Sequence, residues 1–362
     1  MLPRCYLRTL RSQRIVTALF GNAMNFGHLH MSSKVLGRMV RTFLFVIAVA
    51  VAGCSSSKSA VSTQPDSGGA GGGEAVYGPS CAGLAASCGL SNDECCLSLL
   101  VPGGTFNRYN DTEFPATVGD FYLDKYLVTV GRFRAFVNAG MGTKASPPAE
   151  GAGANPLIMG TGWDSTWNSN LVDDTATLEA RLQCDPTFQT WTNTPGANED
   201  LPINCVDWYE AFAFCAWDGG RLATEAEWEY AAAGGSEERR CPWGSTIPGP
   251  NANLAIYGCY YDGTGTCVGV TNIARVGSVA AGNGKWGQSD LAGNVWEWVF
   301  DGFISPVSVP CNNCAETTSV YYRVYRGGCF NNDASTLQLT YRLGGPPVSR
   351  GNYAGLRCAR TQ

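Results

Sequence analysis

The reactive groups in this chain are sulfur and carboxylate. Its 362 residues include 16 Cys, 30 acidic and 25 basic side chains and only two His. Fourteen of the cysteines follow Cys54, whereas both histidines, His28 and His30, precede it. A chain that begins at Cys54 therefore has no imidazole. That excludes Ser/His and Cys/His nucleophile pairs, imidazole-bound zinc or iron and a His general base. Carboxylates, Cys, Tyr, Lys or a metal held by oxygen or sulfur remain.

Spacing sorts the cysteines. Cys81, Cys88, Cys95 and Cys96 fall within sixteen residues without His or acidic ligands at finger spacing, so two local disulfides are expected there rather than a zinc site. Cys184 with Cys205 and Cys259 with Cys267 pair by proximity. Cys311-Asn312-Asn313-Cys314 is a CxxC, the spacing of thiol-disulfide exchange, but no helix signature follows it and a structural bridge is expected. Cys329 is a weak nucleophile candidate, because no His or basic pattern lowers its pKa. Glu225 and Glu229 lie one helical turn apart, which could read as a catalytic pair. A capped structural helix is the preferred reading, and Arg221 is expected in a structural ion pair.

The elements that would hold these groups carry clear start signals. Thr129 can cap VGRFRAFVNAG, with Gly140 as the stop. Asp207 opens WYEAFAFCAWDGG, whose apolar residues recur at helical spacing. Thr224 and Glu227 form a capping box at the head of EAEWEYAAAGG. Elsewhere 45 Gly and 18 Pro break the chain every few residues, so short strands and long loops are expected in an α+β fold.

Ahead of this part, Arg38 to Cys54 reads RMVRTFLFVIAVAVAGC, a basic start and a short apolar run ending in small residues. The run is too short to span a bilayer comfortably and has the layout of a signal peptide. Val51-Ala52-Gly53-Cys54 resembles a bacterial lipobox, so residues 1–54 are expected to be an export signal with Cys54 acylated. Met31 and Met39 are alternative starts, and residues 1–30 would then precede the translated protein. Residues 55–80 are a Gly/Ser-rich tether, 81–97 a Cys-rich staple and 98–362 the main domain. Ser55, where Asp would signal inner-membrane retention, points to an outer-membrane lipoprotein. Seven basic residues and no acid precede Cys54, leaving 18 basic against 30 acidic residues beyond it. An exported domain so acidic is a poor nucleic-acid binder.

The stretches LVTVGRFRAFV, LPINCVDWYEAFAFCAWDGGRLATEAEWEYAAAGG, PWG, GQSDLAGNVWEW, VYRGGCF and GLRCAR, in this order, resemble the formylglycine-generating enzyme family, also called sulfatase-modifying factors. The resemblance covers residues 98–361. It implies a single irregular, loop-rich α+β domain related to C-type lectins, with the ten Trp between Trp163 and Trp298 filling the core. Active members oxidise a substrate cysteine to formylglycine with two copper(I)-binding cysteines just after the RGG motif. Here Asn332 and Leu337 stand at those positions, and neither ligates copper(I). Copper and catalysis of that reaction are therefore not expected.

The resemblance also implies a disulfide between Cys215 and Cys358, with the family's second bridge absent because Ala232 and Arg342 occupy its positions. Cys241 and Cys329 stand where the family usually lacks Cys, and a bridge between them is expected. The family's calcium loop maps onto Asp290 and Glu297 as carboxylates and Gly293 and Val295 as carbonyls, a hard-oxygen set suited to Ca²⁺. A second calcium site would use Asn253 and Leu254. The expected function is a cell-envelope lipoprotein whose domain is a non-catalytic binding or structural module for a surface ligand, protein or glycan. The alternatives are an oxidoreductase of the same family and a lectin-like carbohydrate or peptide binder.

Overall fold

The computed structural model describes residues 78–305, 307–318 and 321–362; the export segment, most of the tether and Cys54 lie outside them. Among the described residues four α-helices form where capping chemistry permits. In α1 (Val130–Asn138) Thr129 accepts from the Arg132 N–H at 3.3 Å. In α3 (Trp208–Trp217) Asp207 and Glu210 cap one another reciprocally, a second capping box. In α4 (Glu225–Ala233) Thr224 and Glu227 do the same, and Gly234 ends the helix in the left-handed conformation. The remaining helix, α2 (Thr175–Leu182), is absent from the sequence reading. It buries only Leu178 and Leu182, so its apolar periodicity is faint, although Asp174 caps it. Among the described residues no helix is long and apolar enough to cross a membrane.

Eleven short strands among the described residues make three small sheets. The first runs β1 (Ser98–Val101), β4 (Phe121–Asp124), β11 (Cys358–Thr361), β5 (Arg221–Leu222), all antiparallel. The second runs β10 (Ala354–Leu356), β6 (Trp296–Gly302), β8 (Arg323–Arg326), β9 (Leu343–Gly345), with only the β10–β6 pair parallel. In the third, β3 (Pro115–Val118) pairs antiparallel with β2 (Gly104–Asn107) and parallel with β7 (Cys311–Asn312).

Strand β6 is the hinge of the packing. All seven of its residues are buried. Its period of two sends Trp296, Trp298 and Phe300 into the core built on α1 and α3, while Val299 joins the core built on α4. Two acids, Glu297 and Asp301, alternate with those aromatics, and both meet α4: Glu297 accepts from Trp228 Nε1 at 2.9 Å and Asp301 from the Glu225 N–H at 2.7 Å. Trp163, Trp191, Trp208, Trp228 and Trp298 are fully buried, consistent with indoles as filler for a loop-rich interior.

Six disulfides staple the domain: Cys81–Cys96, Cys88–Cys95, Cys184–Cys205, Cys215–Cys358, Cys259–Cys267 and Cys311–Cys314. The expected bridge between Cys241 and Cys329 does not form. Cys329 turns its thiol onto Asn331 and Asn332 of its own turn, at 3.1 and 3.2 Å, and Cys241 sits in a tight turn closed by mutual backbone bonds with Gly244. Burial pushes the Cys241 thiol pKa up to about 11, so it behaves as a small apolar group rather than a nucleophile.

Candidate functional site

The turn after β8 begins at Arg326. Gly327 and Gly328 follow with φ of 99° and 79°, a region that glycine enters without strain. At Gly328 a Cβ would also lie 3.0 Å from Thr336 Oγ1 and 3.1 Å from Leu337 Cδ2. The two glycines therefore let the chain double back against residues 336 and 337. Cys329 is 1% exposed. Asn332 folds its side chain inward, accepting from the Cys329 N–H and thiol at 3.2 Å, while its carbonyl accepts from the Gly258 N–H at 2.9 Å.

Leu337, also 1% exposed, packs with Ala255, Tyr257 and Ala292, and Trp243, Tyr260 and Ala334 cover that cluster from its partly exposed side. Phe330 packs against Phe188 in a tilted arrangement with ring centroids 5.3 Å apart. The position that would bring a second thiolate is a plug of aliphatic carbon. Copper(I) needs two soft donors, and this turn offers a single thiol already hydrogen-bonded to two amides. The donor set does not fit copper(I).

Of the residues read as calcium ligands, the two carboxylates Asp290 and Glu297 already have protein partners. Asp290, at φ 58°, accepts from the Gly277 N–H at 2.6 Å, and burial pushes its carboxyl pKa up to about 6. Gly293 donates its N–H to the Gly327 carbonyl at 2.9 Å, and Val295 is buried. Glu297 faces Arg357 with both oxygens at 3.0 Å and also holds the Trp228 indole. Glu297 thus holds a guanidinium and an indole at the position where the resemblance implies a calcium ligand. Asn253 is exposed and bonded to Asn251, and the Leu254 carbonyl points into the space that Gly282 leaves open. Among the described residues the one cluster of three Cys, Asp or Glu ligand atoms is Cys88, Cys95 and Asp200, and two of these are disulfide-bonded.

Glu225 and Glu229 are buried acceptors for three arginines. Arg342 clamps Glu225 at 2.7 and 2.8 Å, Arg108 reaches it at 3.1 Å, and Arg326 lies 3.3 Å from Glu229. Arg221 pairs with Glu227 at 2.6 Å. Arg342, which takes a cysteine position of the family, thus exchanges a bridge for an ion pair. Asp301 joins the edge of this cluster, accepting from the backbone N–H groups of Glu225 and Glu316 at 2.7 and 2.8 Å. Burial, with Glu225 beside it, raises its carboxyl pKa to about 7.

Asp301 and the arginines around Glu225 escaped the sequence reading, because their segments lie far apart in the chain. One signal was available: acids alternating with aromatics in a strand that is otherwise apolar. Cys54 lies outside the described residues.

Comparison with known proteins supplies the context. The sulfatase-modifying factor enzyme 1-like domain profile matches residues 90–362. The formylglycine-generating enzyme of Thermomonospora curvata is 29% identical over 297 residues, covering 72% of this chain and 91% of that protein. The inactive C-alpha-formylglycine-generating enzyme 2 of Mus musculus is 30% identical, covering 72% of this chain and 84% of that protein. PvdO from Pseudomonas aeruginosa superposes with a TM-score of 0.51 at 22% identity, over 73% of this chain and 94% of that structure, a likeness of fold.

Proposed function

Because the chain belongs to the sulfatase-modifying factor enzyme 1-like family, we propose that its domain is a binding module that has given up formylglycine generation. The observation that carries this reading is Leu337, buried in an aliphatic cluster at the position where the resemblance puts a copper-binding cysteine, with Asn332 turned inward at the other. Oxidation of a peptide cysteine by this route needs a metal held between two thiolates. Neither residue supplies one.

The same turn is suited to contact. Partly exposed Trp243 and Tyr260 pack on the cluster around Leu337, next to this turn. Partly exposed aromatic faces suit uncharged polar ligands, a glycan or an extended peptide. Acylation at Cys54 and outer-membrane placement complete the reading: a tethered module presented from the cell envelope.

The test incubates the purified protein, with and without copper under reducing conditions, with a sulfatase-type cysteine peptide. Mass spectrometry should find the peptide cysteine intact. Conversion of its thiol to an aldehyde, abolished by Cys329→Ala, would overturn the reading and identify a rearranged oxidase site. Cys54→Ser should move the protein from the membrane fraction to the soluble fraction. If it stays with membranes and the wild type incorporates no labelled acyl chain, the anchor is not at Cys54.

A further inference from the structure

The sulfur missing from the turn after β8 is present in the segment before it. Cys311 and Cys314 form a disulfide with three residues of separation. Cys311 is 3% exposed on β7, whereas Cys314 is only half-buried and lies on the wall of a narrow cleft of about 20 Å³. The same cleft is walled by Arg108, Arg342, Glu225, Asp301 and Glu316. Two guanidinium groups paired with Glu225, and a carboxyl that still binds a proton near neutrality, therefore line the same cleft as half-buried Cys314.

The backbone does not depend on that bridge. Residues 116 and 117 of β3 pair with Cys311 and Asn312, the Asn313 N–H donates to the Thr117 carbonyl at 2.8 Å, and Asn313 Oδ1 accepts from the Gly119 N–H at 2.7 Å. Beyond Cys314, Glu316 is tied to Gly302 and Asp301 at 2.9 and 2.8 Å. Breaking the S–S bond would leave both sulfurs where they stand, ready to rejoin.

We propose that Cys311 and Cys314 are a reversible dithiol-disulfide couple that exchanges with cysteinyl thiols, Cys314 being the sulfur attacked. A substrate thiolate attacks Cys314 Sγ, and the electron pair of the Cys311–Cys314 bond leaves on Cys311 Sγ, which takes up a proton. A second substrate thiolate then attacks the substrate sulfur of the mixed disulfide and releases Cys314 as a thiolate, which is protonated in turn. Two thiols become one disulfide and the protein disulfide becomes a dithiol. The same steps in reverse, with a substrate disulfide as oxidant, restore it. Asp301, facing Glu225, Glu316, Arg108 and Arg342 there and coupled electrostatically to Arg323 on β8, is the titrating group beside the exchanging sulfur.

The protein supplies its own controls. Cys184 and Cys267 are exposed members of two other bridges. The oxidised full chain is equilibrated at pH 7 with graded ratios of reduced to oxidised glutathione, quenched by alkylation and mapped by mass spectrometry. Cys311–Cys314 should open at a ratio about tenfold lower than Cys184–Cys205 and Cys259–Cys267. Cys311→Ser should accumulate a glutathione adduct on Cys314, and Cys314→Ser should leave Cys311 unmodified. Asp301→Asn should slow exchange and remove an inflection near pH 7 from its rate. If the wild-type bridge opens together with the two exposed controls, or only when the whole chain unfolds, exposure or unfolding accounts for its reduction and the proposal fails. The wild-type titration needs no variant to fold.

Discussion

Two connections flank the four residues of β8: the leaving one reaches Glu225 through Arg342, and the entering one reaches Asp301, which accepts from the Glu225 N–H. The entering connection, residues 303–322, carries a disulfide, keeps Cys314 half-exposed and closes on Asp301. The leaving connection, residues 327–342, has the family's double-glycine turn but replaces its two sulfurs with an inward amide and a buried leucine, and ends at Arg342 on Glu225. One connection is open and contains polarisable sulfur among charges. The other is closed by carbon. The backbone of a turn can outlast its chemistry, because φ/ψ requirements rest on the glycines while the ligands rest on two side chains.

The largest effect should come from the point both connections share. Glu225→Ala orphans Arg342 and weakens Arg108 and Arg326 inside the protein, and denaturant unfolding should show a loss of about 3–5 kcal/mol. A loss under about 1 kcal/mol would mean that the arginines reach water and that the connections are not joined there.

The next test separates the two. Leu337→Ala should cost about 2–5 kcal/mol, as for a core leucine, if the leaving connection is plugged by packing. Removing the Cys311–Cys314 bridge with a double Ser variant should cost about 2 kcal/mol on the chain-entropy account of so short a loop. The 143-residue span between Cys215 and Cys358 should be worth about 4–5 kcal/mol on the same account. Equal losses at the two bridges would show that loop length is not what separates them.

A smaller effect lies in pH. Asp301 titrates near 7 when folded and near its ordinary 3.8 when unfolded, so the folded state holds the extra proton. Its contribution is fully present below about pH 4 and is lost as pH rises through about 7. Stability of the wild type minus that of Asp301→Asn, measured by urea unfolding from pH 4 to 8, should therefore fall with rising pH. A flat difference would place the raised pKa elsewhere. The smallest expected effect is that of calcium: with Glu297 held by Arg357, millimolar calcium or EDTA should leave the melting temperature unchanged, whereas a rise of several degrees would show that Glu297 is shared with the ion.

Much of the framework was legible because its signals are local. Thr129, Asp207 and Thr224 each act on a backbone N–H three residues on, so their caps can be read from a few letters of sequence. The half-exposed α2 left no such stripe and was not read. In the site, the loss of the sulfur pair was legible at Asn332 and Leu337, but the fate of the replacements was not, since an inward amide and a buried leucine depend on what lies at 258 and 255.

The sequence by itself determined the absence of imidazole after Cys54, the even count of cysteines, the capped helices and the loss of the two thiols after the double glycine. These are properties of composition or of neighbours a turn apart. Only the tertiary structure decided that Cys241 and Cys329 stay apart, that Glu297 answers to Arg357, and that Arg342 clamps Glu225 across 117 residues of chain beside the Cys314 cleft. An ion pair or a bridge needs two groups within a few ångströms, and for residues so distant in the chain only the packing of the core around β6 sets that distance.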